Sequence, residues 1–98
     1  MSNYEDIDPV LAKWAISHSL VWLTDYQGSE VRTFFLRPDS KERVQVWVDP
    51  PKLSRTTVHV FQQKSGKRTR KIEEFSTNLL ELPKFLDKAL DTASKWLT

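Results

Sequence analysis

Hydrophobic and polar positions alternate along the middle of this chain. From Leu20 onward, β-branched and aromatic residues alternate with polar ones, as in a strand with one buried face. Turn-forming residues interrupt the pattern at 27–30, 38–41, 49–51 and 64–67. The pattern predicts five strands, near 20–26, 31–37, 43–49, 56–63 and 68–75. Because the connections are too short for parallel crossovers, we expect an antiparallel meander.

A helical period flanks the predicted sheet on both sides. Asp8 can cap a helix whose first position is Pro9, and the next apolar positions share one face, which predicts a helix at about 9–18. That face carries Val10, Leu11, Trp14 and His18. A longer amphipathic helix follows around Pro83, with an apolar stripe that should pack on the sheet. The stripe consists of Leu82, Phe85, Leu86, Ala89, Leu90, Ala93, Trp96 and Leu97. The predicted fold is α+β: an N-terminal helix, a five-stranded antiparallel sheet and a C-terminal helix on one sheet face.

The two central strands divide by parity into an apolar face and a polar face. The apolar face has Val44, Val46 and Val48 from the third predicted strand and Thr56, Val58, Val60 and Gln62 from the fourth. The other face has Arg43, Gln45, Trp47 and Asp49, with Thr57, His59, Phe61 and Gln63. We expect the helices on the valine face. Phe34 and Phe35 must face opposite sides, and parity does not say which one points inward.

Composition favours one small folded domain spanning 1–98. The chain has 98 residues, of which 39% are hydrophobic and 29% charged, a balance that excludes disordered and collagen-like chains. Without cysteine it has no disulfide and no thiolate metal site. Apolar stretches stay below the roughly 18 residues of a membrane span, and the acidic start lacks the basic region of a signal peptide. We therefore expect a soluble, cytoplasmic protein that does not bind membranes.

The positive charge is concentrated in one segment. Net charge is +2, yet 51–71 contains seven cations and no acidic residue, which leaves −5 on the other residues. The cations are Lys52, Arg55, Lys64, Lys67, Arg68, Arg70 and Lys71. Such a segment attracts polyanions, so nucleic acid is the first partner to consider. A solvated hairpin that merely aids solubility is the alternative.

Trp47 and Phe61 are large rings on the predicted polar face, which calls for an explanation. Exposed rings on an open sheet can stack with unpaired bases. Alternatively, the rings form cross-strand pairs that stabilise the sheet, or a helix or a second copy of the chain covers them.

The order of these elements resembles the Pur and Whirly-type single-strand-binding modules. The resemblance rests on a curved antiparallel sheet, a basic hairpin and a final helix that opens with Leu79-Leu80-Glu81-Leu82-Pro83-Lys84-Phe85-Leu86, and it covers roughly 31–97. It implies binding of single strands across the sheet and dimerisation through helices. The chain departs from that order through its N-terminal helix and its fifth strand. The ribonucleoprotein signature of RNA-recognition domains is absent.

The sequence offers no catalytic or cofactor-binding constellation. Its two histidines, His18 and His59, show no metal-ligand spacing, and His18 is expected to be a partly buried helix residue. Glycine occurs only at positions 28 and 66, so no Gly-rich phosphate loop exists. Asp25 and Glu30 flank a turn and could meet across a hairpin. We expect a protein without enzymatic activity, metal or cofactor.

The sequence thus predicts a binding module with single-stranded nucleic acid, DNA or RNA, as the leading ligand. Trp47 and Phe61 would stack with bases, beside Arg43 and His59. The phosphate contacts would come from Lys52, Arg55, Lys64, Lys67, Arg68, Arg70 and Lys71. The alternative is a small adaptor, inhibitor or immunity-type protein whose basic hairpin meets an acidic partner surface. A homodimer is compatible with either function.

Overall fold

The computed structural model describes residues 4–26, 28–36, 43–63 and 70–97. A short 3-10 helix, Tyr4–Asp6, precedes helix α1, Asp8–Ser17. The strands are β1 (Val21–Tyr26), β2 (Ser29–Leu36), β3 (Val44–Val48), β4 (Arg55–Gln63) and β5 (Arg70–Asn78). Helix α2, Leu82–Trp96, completes the fold. The predicted α+β fold with five strands between two helices is confirmed.

The five strands form one open antiparallel sheet in the order β1-β2-β3-β4-β5. Each strand therefore pairs with its neighbour in sequence, as expected for a meander. The register places Trp47 between Thr33 and His59, and it places Phe61 between Gln45 and Ile72. These pairings set which side chains meet on each face of the sheet.

The core lies on the valine face. The five valines of β3 and β4 are at most 1% exposed. Helix α2 covers them with an apolar stripe whose most buried members are Leu82, Leu86, Ala89 and Ala93, whereas Phe85, Leu90 and Trp96 are half-buried. The predicted division of the sheet into two faces is confirmed.

Phe34, whose orientation parity left open, is the member of its pair that points into the core. Its ring meets the Trp14 ring edge to face, with the ring centroids 5.0 Å apart, and it stacks on Trp22 with the centroids 5.7 Å apart. This cluster attaches α1 to the sheet on the same side as α2. Phe35 consequently lies on the opposite face.

Several local predictions at the N-terminal helix were wrong. The residue before the helix is Ile7, no side chain caps it, and Asp8 is the first helical residue. The Asp8 carboxylate instead accepts hydrogen bonds from Arg32, which are stronger than a cap because both groups are charged. His18 follows the end of α1 and is exposed rather than partly buried.

The connection between β3 and β4 contains a tight turn that differs from the predicted one. The backbones of Lys52 and Arg55 exchange two hydrogen bonds, and the residues between them, Leu53 and Ser54, both have positive φ, at 53° and 62°. Glycine or asparagine normally occupies such positions. The prolines of the predicted turn at 49–51 only lead into it.

Strand β5 also differs from its predicted bounds. It extends to Asn78 because it pairs with β4 along the whole length of that strand, down to Arg55. The predicted start at 68 lies outside the described residues. Among the helices that the structure describes, none is long and apolar enough to cross a membrane.

Candidate functional site

The sheet face opposite the valines, called the outer face below, is the candidate binding surface. Both α1 and α2 pack on the valine side, through Phe34 for α1 and through β3, β4 and β5 for α2. The outer face carries Thr33, Phe35, Gln45, Trp47, His59 and Phe61 at its centre. Neither α1 nor α2 covers these side chains, so packing of these two helices does not explain the outer aromatic residues.

Three rings form an aromatic cluster on the outer face: Trp47, His59 and Phe61. The indole of Trp47 stacks almost parallel on the imidazole of His59, with the centroids 4.7 Å apart and an interplanar angle of 8°. Phe61 stands at 61° to the indole, with the centroids 6.3 Å apart. All three are half-buried. Cross-strand ring contacts therefore stabilise the sheet and still leave part of each ring accessible.

His59 is held between two carboxylates. Its Nε2 lies 2.8 Å from Asp49 Oδ2, and its Nδ1 lies 3.3 Å from Glu74 Oε1. A neutral imidazole has one N–H and donates to one of these groups, whereas the protonated ring donates to both. Two carboxylates at this ring disfavour a phosphate there. His59 is placed to support the Trp47 ring, and its predicted contact with nucleic acid stays a prediction.

A cleft of about 510 Å³ opens beside Trp47 and Phe61. Gln45 and Thr33 contribute polar groups to it, and the Gln45 Nε2 donates a hydrogen bond to the Thr33 hydroxyl at 2.8 Å. The remaining lining residues are Tyr4, Glu30, Val31, Arg32, Val48, Asp49 and Pro50. An apolar cleft with a few fixed polar groups is typical of a site that binds a small molecule or part of a larger ligand.

The 3-10 helix closes one rim of the cleft through Tyr4. The Tyr4 hydroxyl donates to the Val48 carbonyl at 3.0 Å, and the Arg32 guanidinium lies 4.3 Å from the centre of the Tyr4 ring. Arg32 also bonds Asp8 at 2.6 Å and Glu30 at 3.0 Å. Burial raises the pKa of the Tyr4 phenol, and the charge of Arg32 opposes that rise. Arg32 is 7% exposed and doubly paired, so its role is structural.

The predicted cations whose side chains the structure describes, Lys52, Arg55 and Arg43, lie at the two ends of the sheet. Lys52 and Arg55 are exposed at one end, where Arg55 donates to the Ser76 hydroxyl at 3.5 Å. Arg43 is exposed at the other end, 5.3 Å from the centre of the Phe35 ring. The chain leaves β4 at Gln63 and re-enters the sheet at Arg70 at that same end. Eight residue steps along β4 make the separation of these two ends about 26 Å.

The side chains of the other five predicted cations lie outside the described residues. Lys64, Lys67 and Arg68 lie outside the described residues. Arg70 and Lys71 belong to β5 by their backbone, and their side chains lie outside the description.

The sequence interpretation did not predict the polar cluster at the rim of the cleft, in which Arg32 contacts Tyr4, Asp8 and Glu30. A signal existed, because Arg32 has the parity of the inward-facing Phe34, and a buried arginine needs acidic partners. It could not be used while the orientation of β2 was open. Asp25 and Glu30 do face each other across the β1–β2 hairpin, as predicted.

Within the described ranges, no group of three or more His, Asp or Glu side chains is arranged to hold a metal ion. No family model, curated protein or solved structure matches this chain. The resemblance to Pur and Whirly modules therefore stays a prediction from element order.

Proposed function

We propose that the outer face binds single-stranded nucleic acid. The observation that carries this proposal is the pair of half-buried rings, Trp47 and Phe61, beside a cleft of about 510 Å³ on a face that neither α1 nor α2 covers. Unpaired bases are planar, apolar on their faces and polar at their edges. A cleft with aromatic walls and the Gln45 and Thr33 polar groups suits both properties.

Stacking would take place on one side of Trp47. The other side of the indole faces His59, whose two carboxylate contacts fix the imidazole in place. The inclined Phe61 ring forms a corner with the indole, in which a base can lie flat on one ring and touch the other with its edge. Such a preformed platform lowers the ordering cost of binding.

The charges indicate how the strand would lie. Asp49 and Glu74 flank the aromatic cluster, and Glu30 lies at the rim of the cleft. These carboxylates repel phosphates, so the phosphates should lie toward the end of the sheet where Arg43 lies. The chain re-enters the sheet there at Arg70, after the segment that contains Lys64, Lys67 and Arg68.

The first test separates stacking from charge. Trp47→Ala should weaken binding of a labelled single-stranded oligonucleotide by about 1–3 kcal/mol without changing the salt dependence. Trp47→Phe keeps a ring and should lose less. Replacing Lys67, Arg68 and Arg70 by alanine should weaken binding for all sequences and flatten the log–log salt slope by about one unit per lost phosphate contact. Fluorescence anisotropy across a salt series measures both effects.

A matched control removes the same charge from the helix side. Lys13, Lys84 and Lys88 replaced by alanine should leave affinity nearly unchanged, since these residues lie on α1 and α2. Single strands should bind more tightly than the corresponding duplex, whose paired bases offer no free face. Absence of wild-type binding at low salt, or equal loss in both triple variants, would contradict the proposal.

A protein partner is the second candidate, and the carboxylates around the aromatic cluster favour it. A cleft bordered by Asp49 and Glu30 can take an apolar or basic side chain. The cations of the basic segment would then meet an acidic surface of the partner. If the folded wild-type protein binds no oligonucleotide, a role as an adaptor, inhibitor or immunity-type protein is favoured.

A further inference from the structure

Strand β5 forms an edge of the sheet. It pairs with β4 on one side, and within the described residues no strand pairs with its other side. It is nine residues long, and Ile72 is 54% exposed at the position beside Phe61. A long edge strand with an exposed apolar residue is a template for pairing with another strand.

The charges along this strand are antisymmetric about Ile72. Positions 70 and 71 are Arg and Lys, whereas positions 73 and 74 are both Glu. If two copies of β5 pair antiparallel around a two-fold axis through Ile72, position 70 stands opposite position 74 of the second copy, and position 71 opposite position 73. Residues directly opposite in such a pair lie on the same face of the sheet. Every charged position then meets the opposite charge.

Other symmetric registers lack this match. A two-fold axis through position 70 or 71 places two cations opposite each other, and an axis through 73 or 74 places two carboxylates opposite each other. Like charges directly opposite destabilise an antiparallel pair. Charged side chains are one of the features by which edge strands avoid pairing. Among the registers centred on positions 70 to 74, the pattern in β5 repels in four and attracts in one.

We propose that β5 pairs antiparallel with β5 of a second copy of this chain, centred on Ile72. The two sheets then form one ten-stranded sheet, and the two Ile72 side chains meet on its outer face. The outer faces of both copies lie on the same side of that sheet, because a two-fold axis perpendicular to a sheet keeps each face on its own side. The aromatic clusters are thereby left open rather than covered.

Crosslinking tests the register directly. The chain contains no cysteine, so Ile72→Cys introduces a single thiol. Opposite positions of an antiparallel pair have Cβ atoms about 4.5–5.5 Å apart, close enough for a disulfide after small adjustment. We expect Ile72→Cys to form a disulfide-linked dimer under mild oxidation. Ser76→Cys, on the same face of β5 but away from the axis, is the matched control and should form far less.

Charge exchange tests the complementarity. The pair Glu73→Lys and Glu74→Lys makes all four charges of the strand positive, and the pair Arg70→Glu and Lys71→Glu makes them all negative. Each double variant alone should sediment as an 11.5 kDa monomer at concentrations at which the wild type dimerises. An equimolar mixture should restore a species of twice that mass. Asp6→Lys with Asp91→Lys, which adds the same charge at exposed positions elsewhere, should dimerise like the wild type.

Circular dichroism of each variant checks that the fold is kept. Three outcomes would overturn the proposal: wild-type protein that stays monomeric into the millimolar range, a mixture of folded acidic and basic variants that remains monomeric, or crosslinking as efficient at position 76 as at 72.

Discussion

Arg32 and Gln62 are two buried polar side chains of the sheet that differ in how many hydrogen bonds they make. Arg32 bonds two carboxylates and two backbone carbonyls. Gln62 is 1% exposed, and among the described residues neither its Oε1 nor its Nε2 has a hydrogen-bond partner. A buried amide without partners loses its hydration and gains nothing in return.

Replacing Gln62 by methionine should therefore stabilise the protein. Methionine has nearly the same shape and no polar group, so removing the unpaired amide should raise the free energy of unfolding by about 1–3 kcal/mol. Urea denaturation measures the change. Gln45→Met is the control, because the Gln45 amide donates to Thr33 and its loss should not stabilise. A destabilised Gln62→Met variant would show that the amide is hydrogen-bonded in solution.

Tyr4 makes the free energy of unfolding depend on pH in the alkaline range. Its folded-state pKa lies above the ordinary value of 10.0 because burial disfavours the phenolate. A raised pKa means that the folded state holds the proton more tightly than the unfolded chain. The corresponding stability is fully present below about pH 10 and is lost as pH rises through the folded pKa.

Tyr4→Phe should thus be less stable than wild type near neutrality, by about 0.5–1.5 kcal/mol for the lost bond to Val48. The difference should shrink as pH rises above about 10, since phenylalanine does not ionise. Urea denaturation of both proteins at pH 8 and about pH 11 provides the comparison. A constant difference across this range would contradict the burial of the phenol.

At the scale of elements, α2 stabilises the sheet through the side of the helix that faces the valines. Leu86 is fully buried, Leu90 is half-buried and Lys84 is exposed. Leu86→Ala should cost about 2–5 kcal/mol, because it leaves a cavity in the core. Leu90→Ala should cost less, and Lys84→Ala should stay within about 0.5 kcal/mol of wild type. Thermal and urea unfolding give this order, and equal effects at positions 86 and 84 would show that α2 is not docked.

Elements with a strong period could be predicted from the sequence, whereas features that depend on tertiary contacts could not. The valines of β3 and β4 and the stripe of α2 repeat at strand and helix spacing, and both faces were predicted correctly. The turn at Leu53 and Ser54 lacks the glycine or asparagine that marks positive φ, so no local signal located it. Asp8 has the residue type of a cap, yet Arg32, 24 positions away, determines its role.

The same difference between periodic patterns and tertiary contacts holds at the candidate site. Parity placed Trp47, His59 and Phe61 on one face, and the structure confirms that they lie together. Parity within a strand carries no information on what lies beyond the ends of the sheet. The Tyr4 rim therefore emerged only with the three-dimensional arrangement, and the contact of His59 with Glu74 depends on the β4–β5 register, which parity does not give.

At the scale of the whole molecule, the two faces of the sheet differ in what lies on them. Both α1 and α2 pack on the valine face, and the aromatic cluster lies on the other. Substitutions on the outer face should thus change the proposed binding while the core remains intact. This separation makes the stacking test with Trp47→Ala informative, since its effect on affinity should exceed its effect on the fold.

The meander order of the strands also affects how the chain folds. Each β-strand finds its partner next along the chain, so the sheet can grow by successive hairpins that close short loops. Contacts of long sequence separation, such as Tyr4 with Val48, form only when a sheet already exists to receive them. Sheet formation should therefore precede docking of the N-terminal segment, and contacts of that segment should slow unfolding more than they speed refolding.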